Sequence, residues 1–239
     1  MLTGQQDWYL PSGNDYNVYT YADNPFDMTA VNPTGGAQFA AGPPPGVGTT
    51  HARGQHDETL SAGLPVLYGY DFNGMSLLAD PSLAASNVGS FSVQPSGDSH
   101  IAVMVWNSPA DTYRLEYVVN DVAGNDFRAS AFPALEADHW YREEVIVDYD
   151  LNRVIETTLT DLETGETTTI TPADWYLRDA PGGEGNLSTG FRMFNFWAGD
   201  QNNMMAFDNV VVQQIPEPST FVLGVLALVG LLAARRRRR

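Results

Sequence analysis

The side chains in this sequence best suited to chemistry are carboxylates, and the densest group lies in Trp140–Asn152, W-Y-R-E-E-V-I-V-D-Y-D-L-N. Paired acids are the tools of glycoside hydrolysis, whose retaining form sets two carboxyl groups about 5–5.5 Å apart. Period-two alternation puts Tyr141, Val145, Val147 and Tyr149 on one face of a strand, and Arg142, Glu144 and Asp148 on the other. Glu144 and Asp148 then share a face but stand two pleats apart, roughly 13 Å by strand rise. That spacing does not suit retaining catalysis, and no catalytic residue is expected here. Asp148-Tyr149-Asp150-Leu151-Asn152 also imitates the start of a calcium loop. Arg153 stands where such a loop needs glycine at position six, and Leu159 where it needs an acid at twelve, so a hairpin turn is expected.

Asp208 is the more telling acid. In Phe207-Asp208-Asn209-Val210-Val211-Val212 it interrupts an apolar strand, an expensive placement unless the carboxylate is paired or metal-bound. Two partners remain open: a structural calcium, or an arginine such as Arg192. Apart from that calcium, no cofactor is expected. His51 and His56 lie near Asp57 and Glu58, but in a glycine-rich stretch without a third placed ligand, which reads as a solvated loop. Trp175, Tyr176, Phe194, Phe196 and Trp197 gather around Pro181-Gly182-Gly183-Glu184-Gly185. If exposed, Trp175, Tyr176 and Trp197 would bind sugar faces; if buried, they are core, and alternation along 191–197 favours core for most of this group.

Positioning these residues falls to strands. Residues 1–59 are rich in turn clusters such as Pro11–Asp15 and Gly42–Gly46 and form a loop-rich part of the body or an extension of it, with Asp15–Tyr21 a candidate strand. Residues 60–215 carry recurring strand signals. Val66–Phe72 runs into Asn73-Gly74, the dipeptide most typical of a hairpin turn. His100–Trp106, Thr112–Asn120, Trp140–Asp150, Val154–Thr160, Thr167–Thr171, Gly190–Ala198 and Met205–Gln214 follow, and only Ser76–Ala85 hints at helix. The turns at Asp150–Arg153 and Glu163–Glu166 make an antiparallel meander of the strands around them. The expected fold class is all-β, an antiparallel sandwich or jelly roll, followed by one C-terminal transmembrane helix.

Charge narrows the partners. The chain has no lysine, and residues 1–215 hold seven arginines against 28 acids, a formal charge of −21. Such a surface repels phosphate backbones, so nucleic acid is not a partner. The absence of cysteine removes disulfides, thiolate metal sites and cysteine nucleophiles.

From Ile215 the sequence reads I-P-E-P-S-T and then Phe221–Ala234, 14 consecutive apolar or glycine residues, before Arg235-Arg236-Arg237-Arg238-Arg239. The prolines stop strand and helix alike. A helix over the apolar run, with Phe221, Leu223, Leu226, Leu228 and Leu231 among its lipid-facing residues, spans roughly 21 Å; flanking arginines snorkel to lengthen it and stay cytoplasmic. Pro-Glu-Pro, short apolar helix and basic terminus, in that order, closely resemble the PEP-CTERM sorting signal of bacterial exosortase substrates. The resemblance covers 216–239, with the motif at 216–218, the helix at 219–234 and the basic tail at 235–239. It implies that Pro216, Glu217 and Pro218 are recognised by a membrane-embedded exosortase, that membrane lipid is a partner, and that the body is exported to the cell surface of an exopolysaccharide-producing bacterium. Met1–Asp7 has neither the basic nor the apolar region of a signal peptide, so the export signal is expected upstream of this chain.

The body, through Trp140–Asn152, T-D-L-E-T-G-E-T and M-A-F-D-N-V-V-V, resembles a laminin-G/concanavalin-A-like β-sandwich over roughly residues 60–215. The glucanases of that group carry E-x-D-x-x-E on one strand, which this sequence lacks. The expectation is a non-catalytic envelope or exopolysaccharide-associated surface protein. A lectin-like glycan-binding module and an extracellular glycoside hydrolase with a different site are the alternatives.

Overall fold

Alternating burial governs the central strands. In Tyr141–Asp148 every odd residue is buried and every even residue half-buried, the pattern of a strand with one face on a core and one near solvent. The structure, a computed structural model, describes residues 4, 6–10, 14–42, 51–61, 63–76, 86–93, 101–108, 112–178, 190–196 and 203–216. Among these, fourteen strands are found: β1 (Asn14–Asp15), β2 (Asn17–Thr20), β3 (Gln38–Ala41), β4 (His51–Asp57), β5 (Val66–Ser76), β6 (Ser86–Val93), β7 (Ile101–Ser108), β8 (Thr112–Asn120), β9 (Asp126–Ala129), β10 (Tyr141–Asp148), β11 (Arg153–Asp161), β12 (Thr167–Ile170), β13 (Gly190–Phe196) and β14 (Asn203–Gln214). They form two seven-stranded sheets, β1-β4-β13-β6-β7-β8-β9 and β12-β11-β10-β5-β14-β3-β2. Pairing is antiparallel throughout except for β1 beside β4. The all-β sandwich is thus present, and strands from residues 14–57 enter both sheets.

The core between the sheets is aromatic. Tyr70 stacks on Phe91 at 4.3 Å, with Phe207 5.8 Å from Tyr70, and Tyr117 lies 4.9 Å from Trp175. A second, smaller cluster covers the other face of the second sheet, where Phe26, Met28 and Trp140 close over Met204 and Ala206. The loop that carries Phe26 and Met28 is held by polar ties. Asn24 Oδ1 accepts from the N–H groups of Phe26 and Met28, and Asp138 accepts from Thr29 N at 2.9 Å and Thr29 Oγ1 at 2.7 Å.

The meander β10–β11–β12 follows the expected order. Asn73-Gly74 does not turn. β5 runs on to Ser76, with Asn73 opposite Ala206 and Gly74 opposite Met205. Neither residue has the positive φ that a two-residue hairpin requires. β5 lies between β10 and β14, and continued pairing with β14 overrides the local turn preference. His51 and His56 likewise lie in strand β4 and not in a loop, because β13 pairs with β4 from Asp57 to His51. Ser76 ends β5, and the rest of the helical hint to Ala85 lies outside the described residues, as do the predicted helix 219–234 and Arg235–Arg239. Among the described residues no helix is long and apolar enough to cross a membrane.

Gly89 on β6 lies close against β14 of the opposing sheet. A Cβ there would lie 2.4 Å from Met205 Cβ and 2.6 Å from its Sδ. Because the nearer atom is fixed to the opposing backbone, Gly89→Ala should destabilise the fold by about 1–3 kcal/mol in urea unfolding. Met205→Gly, which removes that Cβ as well as the sulfur, should recover part of that loss in the double variant; strictly additive effects would disprove the contact.

Candidate functional site

Three polar assemblies are built on this scaffold. The first lies in the core. Alternation along β10 carries Glu143 inward with Val145 and Val147, so its carboxyl group is fully buried. Oε1 accepts from Tyr117 Oη of the first sheet and from Thr157 Oγ1 of β11, the latter at 2.5 Å. Tyr117 Oη and Thr157 Oγ1 are also within 2.5 Å of each other. This acid–phenol–hydroxyl cluster ties one sheet to the other. Burial, aided by the charge of neighbouring Glu144, pushes Glu143 from 4.5 to about 8, although its two hydrogen bonds oppose the shift. Burial also raises Tyr117 and Tyr70 well above the ordinary phenol value. Sealed from solvent, Glu143 cannot meet a substrate.

The second assembly joins β5, β10 and β14 under the 32–35 loop. Asp71 and Asp208 stand opposite each other in the ladder. Arg142 donates to Asp71 through Nε at 2.7 Å and Nη2 at 3.1 Å. Asp71 Oδ2 further accepts from Asn32 Nδ2 at 2.9 Å, Thr34 Oγ1 at 2.8 Å and Asn209 Nδ2 at 2.7 Å. Asp208 is held by Asn32 Nδ2 at 3.3 Å and by the Asn209 N–H at 2.8 Å. The arginine of this network is therefore Arg142, and it takes Asp71; the side chain of Arg192 lies outside the description. Burial raises the Asp208 pKa, and the charge of Asp71 adds to the effect. Calcium requires a shell of oxygen ligands. Here a guanidinium and amide N–H groups surround the carboxylates, a set that fits an ion-pair network and not a calcium shell. Next to it β14 bulges between Asp208 and Val211, with Asn209 at φ 47°.

The third assembly belongs to the first sheet. Glu116 on β8 receives Arg114 Nε at 3.0 Å and Arg128 Nη1 of β9 at 3.4 Å. Arg178 Nη2 bridges to Asp126 of β9 at 2.7 Å. At the other edge Asp57 accepts from Tyr9 Oη and Gln55 Nε2, each at 3.1 Å. The strands of this sheet carry four arginines and four acids; those of the second sheet carry two arginines and seven acids.

Where β4 parts from β3 and β14, a cleft of about 640 Å³ is lined by Trp8, Gln38, His56, Glu58 and Asp208. His56 packs edge-on against Trp8 at 5.6 Å, with Nδ1 3.4 Å from Glu58 Oε1. The fold thus brings His56 and Asp208 to one cleft from distant parts of the sequence. Glu144 and Asp148 lie half-buried on the outer face of β10, and Asp148 Oδ1 accepts the Leu151 N–H at 2.9 Å in the expected turn. Trp175 is only 7% exposed and its ring is core, so it offers no face to a sugar. Tyr176 is half-buried and bridges through its backbone to Asn120 and Arg153; Trp197 lies outside the described residues. Pro216 is exposed, while Glu217 and Pro218 lie outside the description. Sequence reasoning missed Glu143 as a buried group and Asp71 as the centre of the second network. The β10 alternation already placed Glu143 on the apolar face. No local signal marked Asp71.

Residues 214–239 match the sequence profile of the PEP-CTERM protein-sorting motif. This motif implies an exported cell-envelope protein with a C-terminal membrane anchor, processed by an exosortase, a membrane protease. No curated protein matches the chain. Among solved structures the chain is similar to a marine PL-14 alginate lyase from Aplysia kurodai, with 9% identity and a TM-score of 0.50 over 90% of this chain and 93% of that one. It is also similar to lectin II from Ulex europaeus, with 11% identity and a TM-score of 0.50 over 89% and 94%. At these identities the likeness is one of fold, a lectin- and concanavalin-like β-sandwich.

The buried acid gives a pH dependence. Because folding raises the Glu143 pKa, its protonated form stabilises the fold fully below about pH 4.5, and that contribution is lost as pH rises through about 8. Glu143→Gln should therefore flatten the fall of melting temperature between pH 5 and 9 and exceed the parent at pH 9. Parallel profiles would show that the carboxyl group is not held protonated.

Proposed function

We propose that the body of this exported envelope protein binds polysaccharide on the outer face of the first sheet, without chemistry on the ligand. It lies outside the cytoplasmic membrane, with Arg235–Arg239 inside until an exosortase acts at Pro216–Pro218. The carrying observation is the partition of charge. Strands of the first sheet balance four arginines with four acids in a body of formal charge −21, which makes this the sheet that repels an acidic glycan less. Arg114 and Arg128 both reach Glu116, and both are partly exposed on that sheet, where their guanidinium groups can also meet a ligand carboxylate. The lectin and the alginate lyase of similar fold both have names that refer to carbohydrate, which is consistent with this reading. A non-catalytic role is favoured because Glu143 is sealed in the core, and Glu144 and Asp148 stand two pleats apart.

Residues 1–215 should be retarded in affinity gels that contain an acidic exopolysaccharide. Arg114→Ser with Arg128→Ser should weaken that retardation by roughly tenfold, about 1.4 kcal/mol. Release of reducing ends or unsaturated uronates by the purified body would overturn the non-catalytic assignment. In an exosortase-bearing host, with a working signal peptide supplied, Glu217→Ala should leave unprocessed precursor in the membrane. Normal processing of that variant would reduce the tail to a plain anchor.

A further inference from the structure

The end of the sandwich that releases the tail also displays two apolar tips. β14 pairs with β5 so that Gln214 meets Val66, and Ile215 N donates to Pro65 O at 2.8 Å, so the chain leaves beside the start of β5. β10 pairs with β5 with Val147 opposite Val66, which brings the β10–β11 turn to this end. Leu151, at the tip of that turn, is 58% exposed. Residues 175–177 tie this turn to the β8–β9 turn of the other sheet. Tyr176 exchanges backbone hydrogen bonds with Asn120 at 2.8 and 2.9 Å, and Leu177 N donates to Asn152 O at 3.0 Å. The β8–β9 turn carries Val122, 68% exposed, on a loop held by Asp121 Oδ1 accepting from Ala123 N and Asn125 N at 2.8 and 2.9 Å. Two rigid turns thus present Val122 and Leu151 at the end where residue 216 departs.

The tether is short. Six residues, Ile215–Thr220, separate Gln214 from the apolar run, and at full extension they span about 20 Å. While the tail is in the membrane, that length keeps this end of the sandwich within about 20 Å of the bilayer. We infer that Val122 and Leu151 form a membrane-apposed tip pair that rests in the headgroup layer before processing. The inference rests on the membrane-anchor reading of the tail. Asp121, Asp148 and Asp150 make this end acidic, so the surface it fits is an uncharged, zwitterionic headgroup layer rather than an anionic one.

The chain has no cysteine, so single probes are clean. Val122→Cys, Leu151→Cys and Thr164→Cys in the full chain, each carrying an environment-sensitive fluorophore, would be reconstituted in phosphatidylcholine vesicles. Thr164 is exposed in the β11–β12 turn at the opposite end. Headgroup spin-labelled lipid should quench the probes at 122 and 151 at least about twice as strongly as the probe at 164. Equal quenching at all three positions, or none at the tips, in protein that floats with the vesicles would overturn the tip pair alone. Protein that fails to float would overturn the anchor reading, and the tip pair with it.

Discussion

A continuous aromatic layer between two seven-stranded sheets holds this molecule together, and every polar arrangement in it is fitted around that layer. No disulfide is available, because the sequence has no cysteine. Stability must come from burial, which scales with apolar area removed from water. Tyr70, Phe91, Tyr117, Trp175 and Phe207 are among its large rings, in contact across the interior. Tyrosines in such a layer bring hydroxyls that want partners. Glu143 answers Tyr117 and in doing so links the sheets through a hydrogen-bonded cluster as well as through packing. Gly89 belongs to the same constraint, since the sheets meet too closely there for any side chain.

The sheets differ in what they carry outward. The second sheet takes its own cover, with Phe26, Met28 and Trp140 over its far face and the Asp71–Arg142–Asp208 network beside them. It is the more acidic of the two. The first sheet balances arginine with acid, and its Arg114–Glu116–Arg128 and Asp126–Arg178 contacts lie toward solvent. Electrostatics thus distinguishes the two sheets, although both come from the same antiparallel pattern.

Direction of presentation follows from register. Because β14 ends beside the start of β5, the sorting tail leaves from one end of the sandwich with little slack. The turns on that end are short and internally hydrogen-bonded, so their apolar tips are fixed relative to the exit.

Some of this was written in the sequence alone. Thr112–Asn120 and the β10–β11–β12 meander were legible because period-two alternation and turn residues act locally. The terminal motif was legible because its three parts need only their order. Glu143 was half-legible: alternation put it on the apolar face, but only the opposing sheet supplied Tyr117 to receive it. Local signals failed at Asn73-Gly74, where pairing with β14 across more than a hundred residues outweighed turn preference, and at His51–Asp57, a polar stretch made a strand by its neighbours. Asp208 was recognised as an acid that needs partners, yet it is held by Asn32 and by the N–H of its neighbour Asn209, while the arginine, Arg142, goes to Asp71 on the adjacent strand. Periodicity determined the all-β class, and the order of its three parts determined the sorting motif, since both depend on near neighbours in the chain. Which charges meet, which acid is buried and which turns flank the exit were decided by the tertiary structure, because sheet register joins residues that the sequence keeps far apart.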